Sequence, residues 1–361
     1  MQDSTQPSSN DPTDEMDLYD FELPKDLIAQ DPPTHRTDAR MMVIDRERGS
    51  ISHASIRDLP SFLGAGDAIV VNDSRVIPAR LVGYREQTRG RWEGLFLREE
   101  NGIAELLSKT RGTMQPGERI VIRDQEGRET QGLKVLSYTP EGHLLCVPNP
   151  DAAWLDLLET AGRIPLPPYI RDGQMTDIDR ERYQTVYARN PGSVAAPTAG
   201  LHLTEDLLQQ IRKRGTALLS VTLHVGLGTF RPVAAKKLDD HKMHSEVAQI
   251  SENVVRRLQS ARAEGGKILA VGTTSVRTLE TAAKLGQGTL IPWAGQTDLF
   301  IRPGFTFHAV DRLLTNFHLP RSTLLVLVSA FATRELMLEA YRKAVEERYR
   351  FFSYGDCMLI L

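Results

Sequence analysis

The sequence has no apolar run of about eighteen residues, the length a membrane-spanning helix requires, and no basic segment followed by an apolar one near Met1. A membrane or secreted protein is therefore not expected, and the cytoplasm is the expected location. Cysteine is scarce: Cys146 and Cys357 are the only two, and they form neither a CxxC pair nor a disulfide framework. This suits a reducing compartment and argues against a structural zinc site. Nor is there an excess of one charge. With 44 Lys and Arg against 47 Asp and Glu the net charge is -3, so any contact with nucleic acid must come from a local basic patch.

What remains is ordinary globular material, 361 residues that are 40% hydrophobic and 25% charged, enough for two domains and a sizeable core. Residues 1–16 have almost nothing to bury and are expected to form a disordered tail. "FELPKDLIAQDPP" leads into "RMMVIDRERGSISH", which reads as two strands around a turn at Arg48-Gly49. From residue 62 to 148 short strand-like runs follow one another ("AIVVND", "VIPARLVGY", "WEGLFLRE", "IAELLSK", "ERIVIRD", "LKVLSY", "LLCVPN"), a spacing that predicts a small antiparallel barrel or sandwich. Such a module either only packs or offers a face to a ligand or RNA. Beyond residue 150 helical and strand patterns alternate, as in "SENVVRRLQSARAEGG" followed by "KILAVGTTSVRTLETAAKLG". That alternation predicts an α/β domain, built from 17–61 and 149–361, whose sheet is covered on both faces.

In such a sheet ligands bind beyond the carboxyl ends of the strands. "LAVGTTSVRTLE" ends a strand at Gly272 and opens a helix through Thr273, Thr274 and Ser275, with Arg277 in its first turn. These groups suit either a carboxylate, phosphate or ribose, or an ordinary helix cap. The motif lacks the Walker lysine and the GxGxxG spacing, which argues against a nucleoside triphosphate or dinucleotide cradle. "VTLHVGLGTFRPV" ends another strand on His224, with Gly226, Gly228 and Thr229 beyond it. "HKMHSE" sets His241 and His244 three apart with Glu246 close behind, a pattern open to metal binding, acid-base work or a solvated cluster. "SVAAPTAGLHL" places Thr198, Gly200 and His202 in a run of small residues, and "TNFHLP" places Asn316 and His318 before Pro320.

Taken together, "YQTVYARNPGSVAAPTAGLHLTEDLL", "VTLHVGLGTFRPV", "HKMHSE", "VGTTSVRTLE", "TNFHLPRSTLLVLVSAFA" and "YRFFSYGDCMLI", preceded by "DFELPKDLIAQDP", "VVNDSRVIPARL" and "GRIPLPPYI", resemble the S-adenosylmethionine:tRNA ribosyltransferase-isomerase family of queuosine biosynthesis. The motifs run in the family's order from about Asp20 to Ile360. The resemblance implies an α/β domain with an inserted antiparallel β-barrel domain. It implies an enzyme that moves the ribosyl part of S-adenosylmethionine onto a tRNA carrying 7-aminomethyl-7-deazaguanine at the wobble position. Epoxyqueuosine, adenine and methionine would be the products. S-adenosylmethionine is then a co-substrate, and no metal, redox cofactor, DNA or membrane is called for.

On that reading His224, His244 and His202 are the candidates for proton transfer, with Glu246 orienting one of them. Thr198, Gly200, Gly226, Thr273, Thr274, Ser275 and Arg277 are the candidates for holding S-adenosylmethionine, Arg277 at its carboxylate. Arg75, Arg80, Arg163 and Arg171 are candidate phosphate contacts and Tyr169 a candidate for stacking on a splayed base. A methyltransferase using the same co-substrate and a non-catalytic RNA-binding protein are the alternatives; the first lacks its usual glycine-rich loop here and the second leaves the histidine-bearing turns without a role. Several positions depart from the family pattern, among them Ser74, Leu203, Thr333 and Gly94, the last of which puts the barrel's packing in question.

Overall fold

The computed structural model describes residues 14–150, 152–226 and 235–361. The chain divides into two compact units, one comprising the residues up to Ser74 with Thr185–Asn190 and Pro197–Leu361, the other Arg75–Gln184 with Pro191–Ala196. In chain order the strands are β1 (Arg40–Asp45), β2 (Ser50–Ser55), β3 (Ala68–Asn72), β4 (Ser74–Val76), β5 (Arg80–Arg85), β6 (Arg91–Glu100), β7 (Ile103–Thr110), β8 (Arg119–Arg123), β9 (Glu129–Tyr138), β10 (Leu144–Asn149), β11 (Asn190–Ser193), β12 (Ala217–Leu223), β13 (Glu246–Ile250), β14 (Ile268–Val271), β15 (Trp293–Thr297), β16 (Arg312–Asn316) and β17 (Cys357–Ile360). The α-helices are α1 (Trp154–Ala161), α2 (Asp179–Arg182), α3 (Glu205–Lys213), α4 (Glu252–Ala263), α5 (Thr273–Leu285), α6 (Thr323–Phe331) and α7 (Arg334–Glu346).

The first unit is built on a nine-stranded sheet in the order β15-β13-β12-β3-β14-β16-β17-β1-β2. Its four middle strands, β12, β3, β14 and β16, run parallel. Burial explains their sequences. Every residue of β3 (AIVVN) and of β14 (ILAV) is buried, as a strand covered on both faces requires, whereas the flanking β13 (EVAQI) alternates buried and exposed because one of its faces is wet. On one face Ile69, Val71, Leu269, Val271, Leu314 and Leu359 pack against Leu203, Leu207, Leu208 and Ile211 of α3 and the turn before it. Helix α5, buried along most of its length, packs on β12, β14 and β3. Thr204 starts α3 by accepting a hydrogen bond from Leu207 N–H at 3.3 Å, the N-cap role its hydroxyl favours. Taken in chain order, the four parallel strands stand 2-1-3-4, so the order reverses between β3 and β14. A sheet of this kind opens its ligand crevice there, at the carboxyl ends.

The second unit holds a closed antiparallel barrel of six strands, β10-β7-β6-β5-β8-β9. The strands predicted from residue 76 onward are all present, with inward residues alternating as in β8 (RIVIR) and β10 (LLCVPN). Gly94 is not a packing defect. A Cβ there would overlap the Trp92 ring, which is wholly buried inside the barrel and donates its Nε1–H to Ser108 Oγ at 2.8 Å. The indole fills the volume that a β-branched side chain would otherwise take.

Three expected boundaries move. The "AIVVND" run, read as the first barrel strand of a module over 62–148, is β3 at the centre of the large sheet; a strand buried at every residue belongs there, not in an alternating barrel. At the other end the barrel unit extends to Gln184, because α1 belongs to it: Trp154 stacks on Phe96 with ring centroids 5.6 Å apart and donates to Gly102 O at 2.8 Å. The expected tail lies outside the described residues up to 13. Met16, however, is fully buried, opens a 3-10 helix (Met16–Tyr19) and donates its N–H to Lys236 O at 2.9 Å.

Candidate active site

The carboxyl ends of the four parallel strands deliver one polar residue after another: Asp73 after β3, His224 after β12, Gly272 to Thr274 after β14, and Asn316 at the end of β16. Asn72 fixes the first two. Its side chain, wholly buried, donates to Leu223 O at 2.9 Å and accepts from Leu223 N–H at 3.0 Å and Ser74 N–H at 3.1 Å. It thereby continues the β3–β12 pairing one step past Asn72↔Val221, where the ladder stops. Asp73, 7% exposed, accepts from Thr222 Oγ at 2.7 Å and Asn190 Nδ2 at 3.0 Å.

His224 follows directly. Burial lowers its pKa, and the negative charge of Asp73 acts in the opposite direction. Its ring is therefore neutral near pH 7, with a carboxylate at hand to stabilise the imidazolium if it takes a proton. Nδ1 of His224 is buried and finds no hydrogen-bond partner among the described residues. His202, in the 3-10 helix Thr198–His202, is different in kind. Its Nε2 lies 3.1 Å from Asn316 Nδ2, an amide donor, so the ring proton is assigned to Nδ1. Burial pushes its pKa down to about 4, with Arg36 and Arg350 adding to the effect. Asn316 also accepts from Thr198 Oγ at 3.0 Å and donates to Phe352 O at 3.1 Å. His202 is thus tied into a structural network, as is His318, which is held by Thr315 Oγ at 3.0 Å and pushed down to about 3 by burial.

Three expected roles change. Arg277 is buried and pairs with Glu246, while its remaining nitrogens donate to Leu299 O at 3.1 Å and Thr297 O at 3.3 Å. A guanidinium so engaged holds Glu246 in place and is not open to a methionine carboxylate. Glu246, expected to orient a histidine, is given over to Arg277 and to Gly226 N–H, which it accepts at 3.0 Å. Ser275 donates its hydroxyl to Val271 O at 2.7 Å, closing the strand-to-helix turn. His244 is exposed and stands just before β13. Gly228 and Thr229 lie outside the described residues. Thr273 is 8% exposed at the start of α5, whose cap Gly272 takes the left-handed φ of 84° and supplies no side-chain oxygen. Thr274 Oγ is buried and unpartnered among the described residues.

The barrel residues split as well. Arg80 is tied to Glu93 at 2.7 Å and to Gly173 O, and Arg171 to the buried Asp179, so neither guanidinium is open to a phosphate. Arg163 donates to Asp124 O at 3.2 Å, Tyr169 is half-buried, and Arg75 is exposed.

Sequence reasoning passed over Asn72, Asp73, Thr185, Tyr187 and Asn190. The signal for the first two was present: a fully apolar run ending in Asn-Asp is a strand end. Read as a barrel strand, that run does not present its end as part of the sheet's carboxyl edge.

A doubly wound sheet with a polar carboxyl edge, in a chain that also carries a small closed barrel, defines the class as an α/β enzyme with an inserted β-barrel domain. Residues 16–360 match the family model described as "Queuosine biosynthesis protein". An S-adenosylmethionine:tRNA ribosyltransferase-isomerase of Symbiobacterium thermophilum is 50% identical over 350 residues, covering 95% of this chain and 98% of that one. Its counterpart in Acetivibrio thermocellus is 49% identical over 345 residues, with the same coverage. A crystal structure of S-adenosylmethionine tRNA ribosyltransferase from Thermotoga maritima is 36% identical, covers 95% of this chain and 100% of its own, and superposes with a TM-score of 0.54. The chain belongs to the queuosine biosynthesis family.

Proposed function

We propose that the protein transfers and isomerises the ribosyl group of S-adenosylmethionine onto 7-aminomethyl-7-deazaguanine at the wobble position of tRNA, giving epoxyqueuosine, adenine and methionine. The family match over nearly the whole chain supports the reaction class. The observation that carries the reading to residues is the neutral imidazole of His224, its Nδ1 unpartnered among the described residues, beside Asp73 at the carboxyl edge of the sheet.

The chemistry asks for what that edge offers. The sulfonium acidifies the C5′ protons, and His224 Nδ1 takes one, its new charge balanced by Asp73. The electron pair left at C5′ opens the ribose as adenine departs with the C1′–N9 bonding pair. The amine of the modified base adds to the unsaturated sulfonium aldehyde so formed, and ring closure with expulsion of methionine leaves the epoxide. Bonds and charges balance without an external oxidant or reductant, so no resident cofactor is needed. Preorganised donors at the departing base and the carbonyl oxygen supply the remaining stabilisation.

The test is adenine release from S-adenosylmethionine with tRNA bearing 7-aminomethyl-7-deazaguanine, against unmodified tRNA. Release confined to the modified tRNA is expected. S-adenosylhomocysteine as the product would make the protein a methyltransferase instead, and binding without turnover would reduce it to an RNA-binding protein. No helix among the described residues is long and apolar enough to cross a membrane.

A further inference from the structure

In the sheet unit six buried side-chain polar atoms find no hydrogen-bond partner among the described residues. One, Ser329 Oγ, lies within α6; the other five are Ser74 Oγ, Thr185 Oγ, Tyr187 Oη, His224 Nδ1 and Thr274 Oγ. Buried hydroxyls are ordinarily paired, so their concentration along one edge marks a place where something else completes them. Two of the five converge on one point. Thr185 and Tyr187 are 5% and 8% exposed, and a Cβ built on Gly200 would overlap Tyr187 Oη and press on Thr185 at 3.0 Å. Gly200 does not take a left-handed φ; what it supplies is room for the Tyr187 hydroxyl, which occupies the place of a Cβ. Its neighbour Ala199 faces Gly272, whose own missing Cβ would lie 3.6 Å from Ala199 and 3.5 Å from Thr274 Oγ. The result is a smooth backbone wall rimmed by hydroxyls.

The chemistry of the rim selects the occupant. Burial raises the Tyr187 pKa far above its usual value and Asp73 raises it further, against the opposing effect of Arg36, so the phenol stays an O–H donor throughout. Tyr187, Thr185 and Thr274 thus present neutral hydroxyl donors, and these suit the lone-pair nitrogens of a flat, uncharged heterocycle.

Resting on the proposed reaction, we infer that Tyr187 and Thr185 are catalytic hydrogen-bond donors to the adenine of S-adenosylmethionine, stabilising the electron pair that the base carries away when the C1′–N9 bond breaks. No proton need leave the phenol. The interaction strengthens as charge builds on the leaving base, so it acts on kcat more than on KM.

Tyr187→Phe removes one oxygen and keeps the ring. With saturating modified tRNA it is expected to lower kcat for adenine release about 100-fold, with KM for S-adenosylmethionine within about threefold and an unchanged unfolding midpoint. Thr185→Val is expected to cost about tenfold, and Gly200→Ala, whose methyl group displaces the Tyr187 hydroxyl, to lower kcat as well. Replacing S-adenosylmethionine by S-inosylmethionine, whose hypoxanthine is a more acidic and better leaving base, should shrink the ratio of wild-type to Tyr187→Phe rates. A merely structural tyrosine would leave that ratio alone. Calorimetric binding of free adenine gives a readout independent of turnover, and both variants should bind it more weakly. Should the wild type release no adenine while Tyr187→Phe still weakens adenine binding, the reaction is wrong and the base site stands. Wild-type kcat and adenine affinity in Tyr187→Phe, or in Thr185→Val should the first variant not fold, would overturn the assignment.

Discussion

In the barrel, buried and half-buried side chains meet protein partners: Arg85 faces Glu118 at 2.6 Å, Glu105 takes both His143 at 2.5 Å and Arg98 at 2.6 Å, and Trp92 donates to Ser108 at 2.8 Å. The buried Nε of Arg85 and of Arg163 have no partner among the described residues, but each guanidinium is held through another nitrogen. At the carboxyl edge of the large sheet the five unpartnered buried atoms are four side-chain hydroxyls, each the sole polar atom of its side chain, and one imidazole nitrogen. Leaving a buried hydroxyl or imidazole nitrogen unpaired costs about 1–3 kcal/mol each, so the edge carries a standing destabilisation of a different kind. On the proposed function, the difference separates polar groups that serve the fold from polar groups kept open for substrate. Perturbing the open edge should change turnover with little change in stability, and perturbing the barrel should do the reverse.

The largest effect belongs to the edge. His224→Gln keeps a side chain of similar length and removes the proton acceptor. Adenine release is expected to fall about 100- to 10,000-fold with the unfolding midpoint nearly unchanged. A variant with full turnover would take His224 out of the chemistry and leave Asp73 without a partner in it.

Next comes a stability effect that the two structural histidines impose. His202 and His318 are held neutral by burial, with pKa values of about 4 and about 3 against 6.5 in the unfolded chain. Below pH 6.5 the unfolded chain binds protons at these positions that the folded chain refuses, so stability falls as pH falls, by about 1.4 kcal/mol per pH unit for each residue. Between pH 6.5 and 5 the pair should cost roughly 3 kcal/mol, read from urea midpoints, with a further gain of under about 1 kcal/mol above pH 6.5 and none above about pH 7.5. His318→Gln, which keeps a polar atom for Thr315, should remove about half of that slope. His224→Gln, replacing a half-buried ring, should change it far less.

These two histidines also show what the sequence made legible. The α/β class, an antiparallel module left open between barrel and sandwich, and the strand ends other than that of β3 were readable from apolar runs and turn residues, because burial on two faces and burial on one leave different patterns; closure of the barrel came only with the family resemblance. What separates His202 from His224 was not readable. Both follow small residues near a strand or helix end, and only the partners brought in from distant segments distinguish them, Asn316 for one and Asp73 for the other. Arg277 and Glu246 lie 31 residues apart, and their mutual neutralisation is likewise a product of the fold.

The barrel's counterpart is smaller. Gly94→Val places a branched side chain where the Trp92 indole already lies, and overpacking of this kind is expected to cost about 1–3 kcal/mol. Adding Trp92→Leu should return part of it, since the smaller side chain vacates the contested volume. Adenine release at a temperature where both variants are folded should match the wild type. A loss of turnover without a loss of stability would mean that the barrel interior is coupled to the reaction.

The smallest expected effect separates two arginines of the barrel unit. Arg75 is exposed, whereas Arg80 is engaged by Glu93 and Gly173 O. A single phosphate contact contributes a slope of about 0.7–0.9 to the dependence of log affinity on log salt. Arg75→Ala should therefore raise KM for tRNA a few-fold at low salt and flatten the salt dependence by roughly that amount, with kcat and the unfolding midpoint unchanged. Arg80→Ala should do the opposite, lowering the midpoint by stranding Glu93 while leaving the salt slope as it was. If the two variants exchanged these signatures, the guanidinium tied up inside the barrel would be the one that meets RNA, and the division between polar groups that serve the fold and polar groups left open for substrate would not extend to this unit.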